Sequence, residues 1–288
     1  MPIDVPTATG LVIPGQEFRW DEADARRYRH AIGQHDRQSG VLPTFAMTAP
    51  GAFGIASPDF YHQQPPEIRF PGIRLRLATL LQQEQELRVH ARIPESGVAW
   101  CHSRVLEIAD RGSAAVLVQR TELIGADGVP LVSGVSRIHA RGEGTGTGRG
   151  RGTGGSSPAP PAPDRAADVE IVVRTDDQQA VWYQRSGKNN SMRGNVHTDA
   201  EFARAAGLDG PILQGVCTYA MVCAALVDTV LDAEIARLHT YTGRFTGIVF
   251  PGESLRTRVW TGNRVHHYHT TVPERGDKSV LVGDLRTD

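Results

Sequence analysis

The stretch PILQGVCTYAMVCAALVDTVL, residues 211–231, is apolar on nearly every side when it is wound as a helix. Such a helix is about 30 Å long, which is enough to cross a membrane. Gln214, Thr218 and Asp228 interrupt it, however, and no basic flank follows it. We therefore interpret it as the buried central helix of a sizeable soluble fold, not as a membrane span.

The composition of the chain is that of a globular protein without a strong overall field. Its 288 residues are 40% hydrophobic and 22% charged, and the formal net charge is −1. A chain of this length accommodates two domains of ordinary size or one large one. The balanced charge gives no reason to expect nucleic acid or an anionic membrane as a partner.

Three cysteines, Cys101, Cys217 and Cys223, are odd in number and lack the spacing of metal ligands. Two of them lie in the apolar run, where small buried thiols are common. We expect no bound metal and a reducing compartment. The first residues, MPIDVPTATGLVIPGQEF, have neither a basic region nor an apolar core. They predict no secretory signal, and we expect a cytoplasmic location.

Residues 141–168, RGEGTGTGRGRGTGGSSPAPPAPDRAAD, form the clearest boundary in the chain. Glycine and proline dominate, and such a segment cannot bury enough apolar surface to order itself. A G-x-G-x-x-G match at Gly150, Gly152 and Gly155 is accidental, because proline-rich sequence follows it instead of a helix. The predicted division is a first domain at 10–142, a linker at 143–167 and a second domain at 168–288.

Both halves of the chain close with segments that alternate between apolar and polar residues, as half-buried strands do. Each half also offers one long buried helix or a substitute for it. An antiparallel sheet with helices on one face is an α+β arrangement, which is the fold class that we predict. The predicted strand segments are 86–94, 100–110, 114–128, 130–141, 238–247, 254–264, 266–276 and 279–287.

Candidate chemistry lies just before the apolar run. His197 follows a loop of small polar residues and precedes a short helix that Thr198 or Asp199 could cap. Gly215 lies in the first turn of the long helix, where its backbone N–H is free to donate to an oxyanion. Taken alone, the histidine is as readily a capping or surface residue, and the glycine a packing residue.

Two other pairs of residues carry weaker signals. His267 and His269 share one face of a strand, as two metal ligands would. No carboxylate or cysteine stands near them in the sequence, so a zinc site is not predicted. Glu84 and Glu86 are interpreted as a solvated strand edge.

Ser186-Gly187 and two longer runs form one pattern: NVHTDAEFARAAGLDGPILQGVCTYA at 195–220 and GRFTGIVFPGESLRTRVW at 243–260. The pattern resembles the signature of the MaoC-like, or (R)-specific enoyl-CoA hydratase 2, family. That signature runs Ser-Gly-Asp-x-Asn-Pro-Leu-His-x-Asp-Pro, then Pro-Ile-Leu-His-Gly-Leu-Cys-Thr. In the first half, VLPTFAM, LQQEQEL and ELIGADGVPLVSG look like segments of the two-repeat members. The resemblance covers nearly the whole chain outside the linker.

The resemblance implies two tandem hot-dog repeats, each a long central helix wrapped by an antiparallel β-sheet. In such enzymes the second repeat carries the catalytic loop, and the first makes room for a bulky acyl chain. The reaction is the addition of water to a trans-2-enoyl thioester, or its reverse, without a cofactor. The implied partner is an acyl-CoA or a carrier-protein-bound acyl chain, and a homodimer is a further expectation.

The resemblance also assigns roles within the site. In the family an aspartate and a histidine bracket one water, and backbone N–H groups hold the thioester oxygen as it gains enolate character. His197 takes the position of the histidine, and Gly215 that of the oxyanion donor. Asp199 matches the family's carboxylate two residues after the histidine, which has a structural role. Asp199 joins Gln214 and Val216 in the predicted substrate-binding set.

This chain departs from the family pattern where the aspartate is expected. Lys188 stands there, four residues are inserted before His197, and Gln214 replaces the histidine before Gly215. Lysine serves as a base only if burial depresses its pKa by several units. The departure leaves the second member of the acid–base pair to be found.

Asparagines of the inserted loop could position a water or a carbonyl, although amides do not accept protons at neutral pH. Asn190 and Asn195, like Lys188, therefore join the histidine and the glycine in the predicted catalytic set, with Asn189 as an alternative. Loop 188–194 has little apolar surface to fix it, so we expect it to be mobile without ligand and to border the pocket of His197.

Two alternatives to a hydratase or dehydratase stay open. The scaffold could carry an altered reaction, such as cyclisation or isomerisation in a specialised, polyketide-like pathway, with His197 as a lone acid or base. It could also be a non-catalytic acyl-binding subunit, which tolerates the loss of the aspartate without compensation.

Overall fold

The structure, a computed structural model of the chain, describes residues 3–34, 37–38, 40–50, 67–76, 80–144, 163–187 and 194–288. Its helices are α1 (Val5–Ala8), α2 (Glu22–Ile32), α3 (Gln179–Ser186), α4 (Ala200–Ala205) and α5 (Gly215–Val230), with 3-10 helices at Pro43–Thr48, Ile235–Arg237 and Pro273–Arg275. Its strands are β1 (Val12–Trp20), β2 (Glu67–Phe70), β3 (Ile73–Arg76), β4 (Leu80–Val89), β5 (Gly97–Asp110), β6 (Ala114–Gly125), β7 (Pro130–Arg141), β8 (Val169–Arg174), β9 (Leu238–Phe245), β10 (Ser254–Trp260), β11 (Val265–Val272) and β12 (Lys278–Thr287).

Ten of the strands form one antiparallel sheet in the order β1-β5-β6-β7-β4-β9-β12-β11-β10-β8. Each half of the chain supplies five neighbouring strands. The halves meet where β4 pairs with β9, from Glu84 opposite Arg244 to Arg88 opposite Thr240. The hairpin of β2 and β3, with α1, covers a smaller apolar cluster on β5, β6 and β7. This arrangement confirms the α+β class predicted from the alternating segments.

Glu84 lies at the junction of the two halves, so its interpretation as part of a solvated edge is wrong. Its carboxylate pairs with Arg244 of β9 and lies 3.3 Å from the Nε atom of Arg137 on β7. The Glu84 side chain is only 24% exposed. The local alternation of residues could not indicate this ion pair, because the partner on β9 is 160 residues away in the sequence.

α5 is the buried central helix that the apolar run predicts. Ten of its residues are buried, and it packs against β8, β9 and β12 as well as α2 and the 3-10 helix Pro43–Thr48. The Tyr219 hydroxyl donates to the Tyr241 carbonyl oxygen (2.7 Å), and the Tyr241 hydroxyl donates to the Tyr219 carbonyl oxygen (3.1 Å), which joins α5 to β9. In the described part of the chain, no helix is long and apolar enough to span a membrane.

Helices in the described residues of the first half are shorter. α2 has 11 residues and α5 has 16, so the long central helix expected in each repeat is found in the second. Asp21 and Asp24 form a capping box at the start of α2, and Gly33 ends it with a φ of 64°. α2 packs against α3, where Nε2 of Gln179 donates to the Ala31 carbonyl oxygen at 2.5 Å.

β1 and β8, the two edge strands of the sheet, were not predicted from the sequence. The register of β1 shifts between Ile13 and Gln16, which disturbs its alternation. In β8 the outward residues include Val172, which is 59% exposed. The other eight strands of the sheet lie within or overlap the predicted segments. Residues 145–162 lie outside the described part of the chain, so the domain boundaries at 142 and 168 stay predictions.

Tyr219→Phe is expected to lower the free energy of unfolding by about 1–3 kcal/mol, because the buried carbonyl of Tyr241 loses its donor. Urea unfolding followed by circular dichroism measures this loss. Val172→Ala, at the exposed sheet edge, is the control and should change the free energy by no more than about 0.5 kcal/mol. Equal values for the two variants would contradict the role given to the tyrosine pair.

Candidate active site

The turn that carries His197 is organised by Asn195. The Oδ1 atom of Asn195 accepts hydrogen bonds from the backbone N–H groups of His197 (2.9 Å) and Thr198 (3.0 Å). Its Nδ2 atom donates to the Thr198 hydroxyl at 3.0 Å, and the side chain is buried. Both ends of the amide therefore hold the turn, and a catalytic role of Asn195 toward the reacting water stays a prediction.

Asp199 closes the same turn and begins α4. Its Oδ1 atom accepts from the backbone N–H groups of Glu201 and Phe202, both at 3.1 Å. Its Oδ2 atom accepts from the N–H of Gly194 at 3.0 Å, at the end of the inserted loop. The carboxylate is the helix cap that the sequence predicts. Both carboxylate oxygens accept hydrogen bonds from backbone N–H groups. These bonds support the structural role of Asp199, and its place in the substrate-binding set stays a prediction.

His197 donates through Nδ1 to the carbonyl oxygen of Ile212, 2.9 Å away. A carbonyl oxygen only accepts, so the ring proton is assigned to Nδ1 and the lone pair to Nε2. Burial lowers the pKa of His197 below its usual 6.5, and the bond to Ile212 opposes this in part. The imidazole is thus neutral at pH 7 and offers Nε2 as a proton acceptor.

Residues 211–214 belong to neither a helix nor a strand and precede α5. The N–H of Ile212 donates to the Val196 carbonyl oxygen at 3.0 Å, and the N–H of Leu213 donates to that of Val249 at 2.8 Å. α5 then begins at Gly215. Since the carbonyl that holds His197 is only three residues before Gly215, the histidine lies beside the N-terminus of α5.

Gly215 has the geometry of an N–H donor at a helix start. As the first residue of α5, its N–H has no acceptor within the helix, and it lies at the positive end of the helix dipole. A Cβ atom added to Gly215 would meet the ring of Phe245 at 3.2 Å. The glycine therefore also allows the aromatic ring of β9 to approach the helix, and its role as an oxyanion donor stays a prediction.

Gln214 and Val216, on either side of Gly215, have contacts other than the predicted substrate. Gln214 is buried, and its Nε2 donates to the Ala180 carbonyl oxygen (3.1 Å) and to Oε1 of Gln184 (3.2 Å), both on α3. Its Oε1 atom has no hydrogen-bond partner among the described residues. The side chain of Val216 packs against the core. Gln214 therefore ties α3 to the start of α5, and a substrate role for either residue stays a prediction.

His197 borders a pocket of about 540 Å³. Two carboxylates that the sequence gave no reason to select, Asp177 and Asp209, line it as well. Both are exposed loop residues, for which a single sequence carries no distinguishing signal. The remaining lining residues are Gln178, Ala180, Val181, Thr198, Gly210, Pro211, Phe250 and Pro251. A neutral imidazole at this pocket, next to a helix N-terminus, suits proton transfer beside an oxyanion.

Lys188 and Asn190, with the alternative Asn189, lie outside the described residues, so their predicted roles are neither supported nor contradicted. Their loop departs from Gly187, just after α3, and returns at Gly194. Among the described residues, the structure brings together His197, Gly215, Asn195, Asp199 and Gln214.

The histidine pair on β11 is engaged in the sheet. Nδ1 of His267 lies 2.6 Å from a carboxylate oxygen of Asp284, and Nε2 of His269 lies 2.9 Å from the Ser279 hydroxyl. The carboxylate partner, absent from the local sequence, comes from β12. Within the described residues, no group of three or more His, Cys, Asp or Glu side chains could hold a metal ion.

Two family models match the chain, one in each half. The model for the MaoC like domain matches residues 158–282, and that for the MFE-2 hydratase 2 N-terminal domain matches residues 18–142. Enoyl-CoA hydratase ChsH3 of Mycobacterium tuberculosis is 36% identical, over 98% of this chain and 98% of that protein. 3-Hydroxyacyl-thioester dehydratase Y of the same organism is 32% identical, over 99% of this chain and 97% of that protein.

The fold has a close counterpart among solved structures. The crystal structure of a MaoC-like dehydratase from Phytophthora capsici matches with a TM-score of 0.80 and 22% identity, over 99% of this chain and 98% of that one. At this identity the likeness concerns the fold alone. Together with the antiparallel sheet and α5, it confirms the predicted tandem hot-dog fold.

Asn195→Ala is expected to lower the free energy of unfolding by about 1–3 kcal/mol, because the N–H groups of His197 and Thr198 lose the buried Oδ1 acceptor of Asn195. Asn195→Asp keeps the acceptor oxygen and should recover most of the loss. Urea denaturation of both variants measures the difference. If the two substitutions had the same effect, the amide oxygen would not be the part of Asn195 that holds the turn.

Proposed function

Because this chain belongs to the MaoC-like dehydratase family, in its two-domain hydratase 2 form, we propose that it adds water reversibly to the double bond of a trans-2-enoyl thioester. Relatives similar to it over nearly its full length are an enoyl-CoA hydratase and a 3-hydroxyacyl-thioester dehydratase. The observation that carries the proposal is the hydrogen bond from Nδ1 of His197 to the Ile212 carbonyl oxygen, which directs Nε2 as the proton acceptor beside the N-terminus of α5.

His197 is the proton acceptor of the proposed reaction. Its Nε2 atom takes a proton from water, the water oxygen bonds to C3 of the substrate, and the electron pair of the double bond moves onto the thioester oxygen. The N–H of Gly215 donates to that oxygen, and the dipole of α5 favours its negative charge. C2 then takes a proton as the thioester carbonyl re-forms. Dehydration is the same sequence in reverse.

The source of the C2 proton separates two versions of the mechanism. In one version His197 returns the proton that it took, and hydrogen and hydroxyl add to the same face of the double bond. In the other version a group on loop 188–194 orients the water or supplies the proton, with Lys188 or Asn190 as the candidates. The loop supports the second version by its place in the sequence, because it starts at the family's aspartate position and ends at the Asp199-bound Gly194.

The substrate class that we propose is an acyl-CoA, because the relative ChsH3 is an enoyl-CoA hydratase. Delivery by a carrier protein, a homodimer and the use of the first repeat for the acyl chain are further proposals. A cytoplasmic location is proposed as well, because Cys101, Cys217 and Cys223 are buried free thiols, as is usual in a reducing compartment.

A second candidate is favoured by one observation, the Lys188 substitution at the family's aspartate position. A scaffold that has lost a carboxylate base could catalyse a cyclisation or isomerisation in a specialised pathway, or could bind acyl thioesters without turnover. An altered enzyme still needs His197, whereas a binding subunit does not.

His197→Ala is expected to reduce the rate of crotonyl-CoA hydration on the order of 10²–10⁴-fold, the usual range for a general acid–base group. Binding of saturated butyryl-CoA should change little. His267→Ala, a substitution at the exposed histidine on β11, is the matched control and should retain full activity. Normal turnover by His197→Ala would contradict the mechanism, and wild-type protein that binds without turnover would favour the acyl-binding alternative.

The pH dependence of kcat/KM follows from the lowered pKa of His197. The base acts only when unprotonated, so activity is lost as the pH falls through the folded-state pKa. Since burial depresses that pKa, the acid limb should lie below the ordinary histidine value of 6.5. Steady-state rates from acid to neutral pH measure the limb. An inflection above neutrality would point to a different base, Lys188 among the candidates.

A further inference from the structure

An aromatic pair lies at the protein surface on the helix that borders the pocket of His197. Trp182 of α3 is half-buried, and its ring lies against that of His30 on α2, with centroids 4.4 Å apart. His30 is exposed. The two rings come from different halves of the chain and meet where α2 and α3 pack together.

The indole N–H distinguishes Trp182 from the two buried tryptophans. The N–H of Trp20 donates to the Pro94 carbonyl oxygen at 2.8 Å. The N–H of Trp260 donates to the Arg165 carbonyl oxygen at 2.9 Å. In the part of the chain that the structure describes, no residue accepts a hydrogen bond from the N–H of Trp182. Trp182 therefore offers a polar atom as well as part of its ring to a ligand at the surface.

Arg185 lies between the pocket and the aromatic pair. Val181 lines the pocket together with Gln178 and Ala180. With 3.6 residues per turn, Arg185 falls about 40° around the axis of α3 from Val181 and about 60° from Trp182, on the arc between them. Its side chain is exposed, and no carboxylate of a described residue pairs with it. A ligand that leaves the pocket over α3 therefore passes Arg185 before it meets the aromatic pair.

α2 brings further positive charge toward the same end of α3. The two helices run antiparallel, because Gln179 bonds to Ala31 whereas Trp182, later in α3, lies against His30, earlier in α2. Residues 26–27, both arginine and both exposed, are one turn before the histidine and so lie toward the C-terminal end of α3. Each of them also pairs with an acidic side chain in the first turn of α2.

An aromatic surface beside a guanidinium group is suited to a nucleotide. A base stacks on an aromatic ring, and arginine donates to phosphate oxygens, often through two parallel bonds. A hydrocarbon chain has no use for the arginine, and an inorganic anion has none for the rings. In coenzyme A, an adenosine 3′-phosphate is joined through a diphosphate and the pantetheine arm to the sulfur that carries the acyl group.

The order of the groups along an acyl-CoA matches the order of these residues. The thioester belongs beside His197, the diphosphate at Arg185 and the adenine at Trp182. The pocket, of about 540 Å³, has the size of a ligand pocket and takes more than the reacting carbons, so it has room for the pantetheine arm. That arm is neutral and carries two amide N–H groups, which suits a pocket lined by the carboxylates of Asp177 and Asp209.

We propose that the surface formed by His30, Trp182 and Arg185 binds the nucleotide of an acyl-CoA. The adenine ring stacks on Trp182, and Arg185 donates to the phosphates. The proposal rests on the proposed function, because it assumes that a thioester reaches His197 through the pocket. It makes an acyl-CoA the substrate in preference to an acyl chain on a carrier protein, which has no adenosine.

The test measures binding without turnover. Titration calorimetry compares butyryl-CoA with butyryl-pantetheine, which lacks the nucleotide. Wild-type protein should bind butyryl-CoA about tenfold or more tightly than butyryl-pantetheine, because stacking and phosphate contacts add to its affinity. Trp182→Leu and Arg185→Gln should each lose most of this difference and bind butyryl-pantetheine as wild-type protein does. Trp182→Phe keeps an aromatic ring and should retain most of the difference.

Trp100→Leu and Arg120→Gln are the matched controls, because they remove an exposed tryptophan from β5 and an exposed arginine from β6. Both should keep the full difference. Adenosine 3′,5′-bisphosphate should compete with butyryl-CoA but not with butyryl-pantetheine, since its site lies beside the pocket and not in it. Trp182 also packs against the core, so Arg185→Gln decides the test if Trp182→Leu does not fold.

Equal binding of the two thioesters would overturn this inference and leave the hydratase proposal standing, as would a difference that survives in the Trp182→Leu, Arg185→Gln double variant. Competition of the bisphosphate with butyryl-pantetheine would also overturn it, because the nucleotide would then lie within the pocket. Binding of neither thioester would overturn the proposed function and this inference together.

Discussion

The hydrogen bond from Nδ1 of His197 to the Ile212 carbonyl oxygen, 2.9 Å long, is the constraint on which the site depends. A partly buried imidazole is stabilised by a partner for the nitrogen that carries its proton. Here the partner precedes Gly215 by three residues, so one bond sets the tautomer and also places the base beside the start of α5. Asn195 and Asp199 hold the histidine end of that bond, and the backbone bond of Leu213 to Val249 holds the other.

The first half of the chain supplies no atom of this hydrogen bond, but it packs against the elements that hold it. α2 fixes α3 through the bond from Gln179 to Ala31, and α3 receives both donors of Gln214 at the start of α5. The pairing of β4 with β9 joins the two halves into one sheet. The described part of the first half is thus connected, through α2 and α3, to the residue that precedes α5.

The sequence was sufficient to predict those helices and strands whose local pattern determines them. It was insufficient to predict contacts between segments that are distant in the chain. The 211–231 run and the eight inner segments have periodicities that do not depend on their neighbours, whereas β1 and β8 are edge strands with a disturbed or exposed pattern. His197 and Gly215 were identified from the motif resemblance and from local helix geometry. The sequence could not show that the Asn195 amide holds the turn of His197, because the bonds that an asparagine side chain makes depend on the folded backbone around it. Glu84 was misread because its partner lies on the other half of the chain.

The direct measurement of the central claim is the protonation state of His197 by nitrogen-15 NMR of histidine-labelled protein. The account predicts a neutral ring at pH 7, with the proton on Nδ1, a nitrogen-15 signal of Nε2 typical of an unprotonated nitrogen, and loss of this pattern only below the ordinary histidine pKa of 6.5. His197→Ala assigns the signal. A proton on Nε2, or an imidazolium ring at pH 7, would contradict the account, because the nitrogen that must accept the proton from water would already carry one.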